Sequence, residues 1–417
     1  MTPLLNTAAR GLPLLLCLLA ALPAHATTLD QAIRAAESYS AALSANSHQV
    51  NALNNMADSA TQLPDPKLKF GVENVPVQGG NDHRFSREGM TMQKVGIMQE
   101  YVSSTKRERK ADAIRAQAQQ TEAGAALIRA TLQRDTAQAW FNLALSRQTL
   151  TAVEALINET RRQVGTQRAG VASGGATPSS VLDVELALNA MRNEEDNARR
   201  DVQIAQANLQ KLTGDDITDT SGTFPRIERL PADQSTLIDG IKQHPEVVQA
   251  ARAADSAKAK SAQSEVAAIP DVGVEVYYAR RGNDYDDMAG VMFTVDLPIF
   301  QSKRQDKDHA ADMSRTYEAN DQLTQLVRQH QADLAALIAQ YNAAKAIYDR
   351  QNQDVLPLLH SKISLVEAQY QSGSATLAEI LAARRDLLNG EVAKNNAAKA
   401  LADSWAAIRY LIPQDVN

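Results

Sequence analysis

SGGATPSSVLDVELAL, residues 173–188, and SGSATLAEILAARRDL, residues 372–387, align without a gap at an offset of 199 residues and share six of sixteen positions. Each follows a long, proline-poor stretch with helical character. Self-similarity at a period near half the chain marks a duplicated unit. Gly174 and Gly373 can take the left-handed conformation that ends a helix, and Thr177 and Thr376 follow where the next helix would need an N-cap. Pro178 then falls at a first helical position, and Glu379 lies three residues beyond Thr376, as in a capping box. Each segment therefore reads as the tight tip of a helical hairpin.

Outward from the tips the pattern stays helical. Val181, Val184, Leu188, Met191, Ala198, Val202, Ala205, Leu209 and Leu212 recur at spacings of three and four. After the second tip Ile380, Ala383, Leu387, Gly390, Ala397, Leu401, Ser404, Ile408 and Leu411 do the same. These are coiled-coil seams, many built from small residues. The approaches open with candidate caps at Thr105 and Ser302, carry Phe141-Asn142 and Tyr341-Asn342 at matching points, and differ at Pro357, which should kink the second.

Short alternating strands separate the helical tracts. KLKFGVE places Leu68, Phe70 and Val72 on one face against Lys67, Lys69 and Glu73, and DVGVEVYY repeats the design with Val272, Val274, Val276 and Tyr278. Each is followed by a second strand, giving predicted strands at about 66–77, 89–102, 271–280 and 288–300. A tilted membrane strand needs ~9–11 residues with alternating faces. Four such strands cannot close a barrel, so the chain must oligomerise or leave its edges open.

The remaining sequence narrows the class. Residues 1–26 hold one basic residue, Arg10, an apolar run and Ala24-His25-Ala26, as in a secretory signal peptide cleaved before Thr27. The only cysteine, Cys17, lies in that segment, so the mature chain has no thiol chemistry. The mature chain would carry 42 basic and 49 acidic residues, a balance that argues against nucleic acid. No later run of ~18 apolar residues encodes a membrane helix. His83, His244, His309, His330 and His360 lack ligand spacing, so no bound metal and no cofactor are expected. Met90, Met92, Met98, Met288 and Met292 gather on the strands, where packing within a barrel or against lipid accounts for them. No catalytic motif is visible, and no enzymatic activity is expected.

The order signal peptide, helix, β-hairpin, helical hairpin, then the same again, with eight residues from Gly174 to Leu182 and from Gly373 to Leu381, resembles the outer-membrane efflux channels typified by TolC. FGVENVPV, REGMTMQKVGIMQEY and STKRERKADA are similar to its heavy-metal branch, the CzcC-like partners of RND metal pumps. The resemblance implies a mainly α fold with a membrane β-barrel portion: a homotrimer whose twelve strands form one barrel in outer-membrane lipid, continued by a periplasmic helical tunnel. It divides the chain into a signal peptide (1–26), a first repeat (27–213, tip near 173–177), a linker (214–231) and a second repeat (232–417, tip near 372–376).

The resemblance also implies a passive export duct whose tips, at Gly174, Thr177, Gly373 and Thr376, dock a periplasmic adaptor serving an inner-membrane RND pump. In the TolC pattern the second tip carries an arginine two residues after its glycine and carboxylates six and nine after it. Here those positions hold Ala375, Glu379 and Ala382, and in the first repeat Ser180 and Asp183 occupy the carboxylate positions. Glu379 and Asp183 are thus the candidate constriction residues, without the usual arginine. The alternatives are a drug-efflux or type I secretion channel of the same fold, or a poreless periplasmic coiled-coil adaptor. An adaptor would have one helical hairpin between lipoyl-like segments.

Overall fold

A computed structural model describes residues 26–85, 87–174, 177–282 and 284–414. Most of the signal-peptide segment, 1–25, lies outside the described residues. The first half runs β1 (Ala26–Thr27), α1 (Leu29–Tyr39), α2 (Ala41–Ala60), β2 (Lys67–Glu73), β3 (Met92–Tyr101), α3 (Ser104–Ala172) and α4 (Pro178–Thr213). The second runs β4 (Asp219–Thr220), α5 (Gln234–Asp239), α6 (Pro245–Glu265), β5 (Val272–Arg280), β6 (Met288–Val295), α7 (Gln305–Asp349), α8 (Leu356–Gln371) and α9 (Leu377–Arg409). The 69 residues of α3 span about 100 Å at ~1.5 Å per residue.

The helix ends at both tips carry the left-handed glycine that the sequence predicts. Gly174 and Gly373 have φ of +76° and +79°, and nothing lies within 4 Å of a Cβ built on either, so conformation and not space demands glycine there. At the second tip the N–H groups of Ser374 and Ala375 both donate to Gln369 O, at 2.7 and 3.1 Å, closing the helix end. The seam residues Val184, Leu188, Met191, Ala198, Val202, Ala205 and Leu209 are buried.

The four longer strands form one antiparallel meander in the order β2-β3-β5-β6, joining the hairpins of both repeats. Its two outer strands, β2 and β6, have no strand partner on their far sides among the described residues. No described helix is long and apolar enough to cross a membrane.

The helical body is held by an aromatic core that the low overall aromatic content, 4%, does not suggest. Both tryptophans of the chain converge there: Phe141 lies edge-on to Trp140 and Trp405, with ring centroids 5.5 and 6.0 Å apart, and packs on Phe224 at 5.1 Å. Each polar edge is satisfied by main chain. Trp140 Nε1 donates to Thr27 O (2.8 Å), Trp405 Nε1 to Arg229 O (3.1 Å) and Tyr341 Oη to Ile227 O (2.8 Å). These bonds fasten the segment between the repeats, whose Ile217 and Ile227 are buried in the same core. Phe141 and Tyr341, read as matching points of the two repeats, meet in this one cluster.

Several sequence expectations shift. The cap of α3 is Ser103, whose hydroxyl accepts from Lys106 N–H at 3.2 Å, two residues before Thr105. Ser302 sits in a 3-10 turn, and α7 begins at Gln305 with no side-chain cap. Thr177 adopts the extended N-cap conformation, but its hydroxyl pairs with Ser179 Oγ at 3.0 Å and caps nothing. Pro357 is accommodated by a π-helical turn over Arg350–Val355, which absorbs the carbonyl its ring would strike. β6 stops at Val295, not 300, because Pro298 cannot donate to a ladder.

Candidate functional site

Cross-strand register fixes what each face of the sheet presents. One face carries the rows Leu68–Ile97–Val276–Val291 and Phe70–Val95–Tyr278–Ala289. The other carries Lys67–Met98–Glu275–Met292, Lys69–Gly96–Tyr277–Gly290 and Gly71–Lys94–Ala279–Met288. Burial runs opposite to that of a water-soluble sheet: Phe70 is 82% exposed and Phe293 68%, whereas Glu275 is 4% exposed. An apolar face left open beside a polar face that covers itself is the pattern of a wall between lipid and an aqueous lumen.

The polar face is an ion-pair lattice. Glu275 receives Lys69 Nζ at 2.7 Å and Lys94 Nζ at 3.2 Å, Lys94 reaches Glu73 at 3.5 Å, and Lys67 pairs with Glu100 at 3.1 Å. Lys67, Lys69 and Lys94 balance Glu73, Glu100 and Glu275, so the wall has little net charge to select ions. Tyr277 lies flat over its neighbours; a Cβ on Gly290 would come within 2.5 Å of its ring. Met92, Met98, Met288 and Met292 all fall on this polar face, so lipid packing does not account for them.

The tips carry the other charges. Glu379 Oε2 accepts from Thr376 N–H at 2.6 Å and from Thr376 Oγ1 at 2.9 Å, and Glu379 N–H donates back to Thr376 Oγ1 at 3.3 Å. The capping box is complete. The backbone N–H of Thr376, then its hydroxyl, hold the Glu379 carboxyl below its ordinary pKa. The carboxylate is therefore charged at neutral and mildly acidic pH. The stability this adds is present above the unfolded pKa and is lost only as pH falls through the lower folded one. Asp183 is exposed on α4.

Just behind the tips lies a clasp that sequence reasoning did not single out. Gln167, 5% exposed, donates from Nε2 to Tyr370 Oη at 2.7 Å and accepts from Ser180 Oγ at 3.2 Å, joining α3, α4 and α8. Nearby, the buried Arg384 reaches Glu367 at 3.2 Å and Glu159 at 3.4 Å, tying α9 to α8 and α3. The readable signal was position: Gln167 and Tyr370 sit seven and three residues before their tip glycines. The structure also brings together His244 and His330, which sequence spacing left apart.

A family model described as "Outer membrane efflux protein" matches residues 32–215. No protein with a curated description matches the sequence. Among solved structures, a CusC structure is 16% identical, with 92% of each chain covered and a TM-score of 0.72. A membrane protein from Pseudomonas aeruginosa is 16% identical, with 93% of this chain and 91% of that one covered and a TM-score of 0.75. The open state of the MtrE outer membrane channel from Neisseria gonorrhoeae is 15% identical, with 92% and 88% covered and a TM-score of 0.71. At these identities the likeness is one of fold.

Proposed function

We propose that this chain, whose residues 32–215 match the outer membrane efflux protein model, is a non-enzymatic channel of that family with a periplasmic helical part, and that three copies assemble into the outer-membrane duct of a tripartite pump exporting heavy-metal cations. The observation that carries the assembly is the four-stranded sheet with open edges, an exposed apolar face and a self-covering ionic face. Three such sheets supply twelve strands, an even number that keeps every neighbour antiparallel. The cargo is supported by the CzcC-like motifs and by four methionine thioethers on the polar face, soft donors suited to transition metals. A strain lacking this chain should become sensitive to transition-metal salts and keep its tolerance to lipophilic drugs. The opposite pattern would favour the drug-efflux alternative.

Ion preference belongs to the tips, since the charges of the strand wall are paired. Three Glu379 carboxylates near one axis would attract cations, and the capping box keeps them ionised. Glu379→Gln should reduce cation preference in planar bilayers, most visibly at low salt, where screening is weak. Asp183 contributes to the same constriction from the first repeat. An unchanged reversal potential across a salt gradient, on a correctly assembled mutant, would reduce Glu379 to a capping residue.

The surfaces around Gly174, Thr177, Gly373 and Thr376 are the docking points for a periplasmic adaptor, through which the duct meets its inner-membrane RND pump. Gly373→Val forces a β-branched residue into the left-handed region at a cost of about 1–2 kcal/mol, borne by the tip alone. Crosslinking of adaptor to the tips should fall while the assembled barrel persists. Adaptor crosslinks mapping to the strands instead would refute this placement.

A further inference from the structure

We propose that His244, Glu246 and His330 form a binding site for one divalent transition-metal ion per chain, outside the strand wall and the tips. Each of the three residues offers one ligand atom, and these atoms all lie within 4.8 Å of one another. For bonds of ~2.1 Å, tetrahedral ligands stand about 3.4 Å apart, so small side-chain movements would close the triangle.

Local sequence explains the preorganisation. A 3-10 turn, Gly240–Gln243, ends at His244, the N-cap residue before Pro245 starts α6. That turn places His244 and Glu246 together at one helix end, facing His330 midway along α7. The two imidazoles stack with centroids 3.9 Å apart. His330 Nε2 lies 3.0 Å from Glu246 Oε2, so this imidazole and carboxylate already stand at about the separation of two ligands of one ion.

The present partner of His244 does not stand in the way of an ion: His244 Nδ1 accepts a 3.3 Å bond from Glu246 N–H. Whichever nitrogen of His244 took the ion, the other would carry the proton, so this long bond would be given up at little cost.

The site opens on a cavity of about 530 Å³ lined also by Asp239, Asp333 and Arg409, which leaves room for a water as the fourth ligand. Two imidazoles and one carboxylate suit Zn²⁺, Co²⁺, Ni²⁺ or Cu²⁺, whereas Mg²⁺ and Ca²⁺ prefer all-oxygen sets. Bound there, the ion would tie the turn before α6 to α7 beside the core residues Ile241 and Leu334. This inference does not depend on what the duct exports.

The test uses the untagged full-length protein in detergent, stripped with chelator and titrated with Zn²⁺, with Mg²⁺ as control. One Zn²⁺ per chain, no competition from Mg²⁺ and a raised unfolding temperature are expected. Losing a direct ligand should weaken binding at least as much as losing a supporting partner does, about 10–100-fold, in His330→Ala and in His244→Ala. His83→Ala, in an exposed loop, should change nothing. Co²⁺ loading of the wild-type protein gives a reading that needs no substitution: intense d–d bands of a low-coordinate site are expected. A spectrum of hydrated Co²⁺, or full Zn²⁺ stoichiometry retained by the His244→Ala/His330→Ala double variant, would overturn the proposal.

Discussion

Replacing Phe141 by alanine should destabilise the assembled protein by about 3–5 kcal/mol, the range for emptying a fully buried aromatic site. Phe141 has no exposed surface and touches both tryptophans and Phe224, and main-chain bonds hold the two tryptophans against moving in to fill the cavity. Those bonds, to Thr27 and Arg229, and that of Tyr341 to Ile227 hold the ends of both repeats and the segment between them. The effect should appear as a lower temperature for loss of detergent-resistant oligomer and faster proteolysis between residues 214 and 231. Phe293→Ala is the matched control, since its ring is on the lipid face of β6. If Phe293→Ala proved the more damaging of the two, the aromatic cluster would not be the organising core.

Val276→Lys should block membrane insertion or assembly. Val276 is the middle residue of β5, 58% exposed, and lies in the apolar row with Ile97 and Val291. A lysine on the lipid face at mid-depth costs about 2–4 kcal/mol in a membrane barrel. Met292→Lys adds the same charge on the opposite face, beside Glu275, and should be tolerated. Comparing the oligomer recovered in outer-membrane fractions checks both. Equal tolerance, or a reversed order, would mean that the faces have been assigned the wrong way round.

Much of this architecture was legible because it is periodic and stated twice. The seams at spacings of three and four, the alternation of KLKFGVE and DVGVEVYY, and the two tip glycines each depend on local chemistry alone. What escaped depends on contacts between distant parts of the chain. The side of the sheet on which the methionines fall follows from register: residue parity within a strand is visible, but which parity faces the lumen emerges only when Met98, Glu275 and Met292 align across three strands. The aromatic core was hidden because Trp140, Phe224 and Trp405 are far apart in sequence. The histidines read as scattered for the same reason, since 86 residues separate His244 from His330. Thr177 shows the opposite failure: a correct local motif whose hydroxyl finds a nearer partner in Ser179.

In a barrel closed by three chains, β6 of one protomer lies antiparallel to β2 of the next. Residues 27–417 carry no cysteine, so a chain with Cys17→Ala that bears Gly71→Cys in β2 and either Met288→Cys or Met292→Cys in β6 has only the introduced thiols. Within one chain these strands are separated by β3 and β5, about 14 Å at ~4.8 Å per strand. That is beyond the ~7 Å reach of a disulfide, so any bond must join two protomers. Oxidation of intact outer membranes followed by non-reducing electrophoresis should give a covalent ladder that ends at the trimer. Monomers alone from every β2–β6 pair tried, or a ladder continuing past three chains, would contradict a closed three-chain barrel.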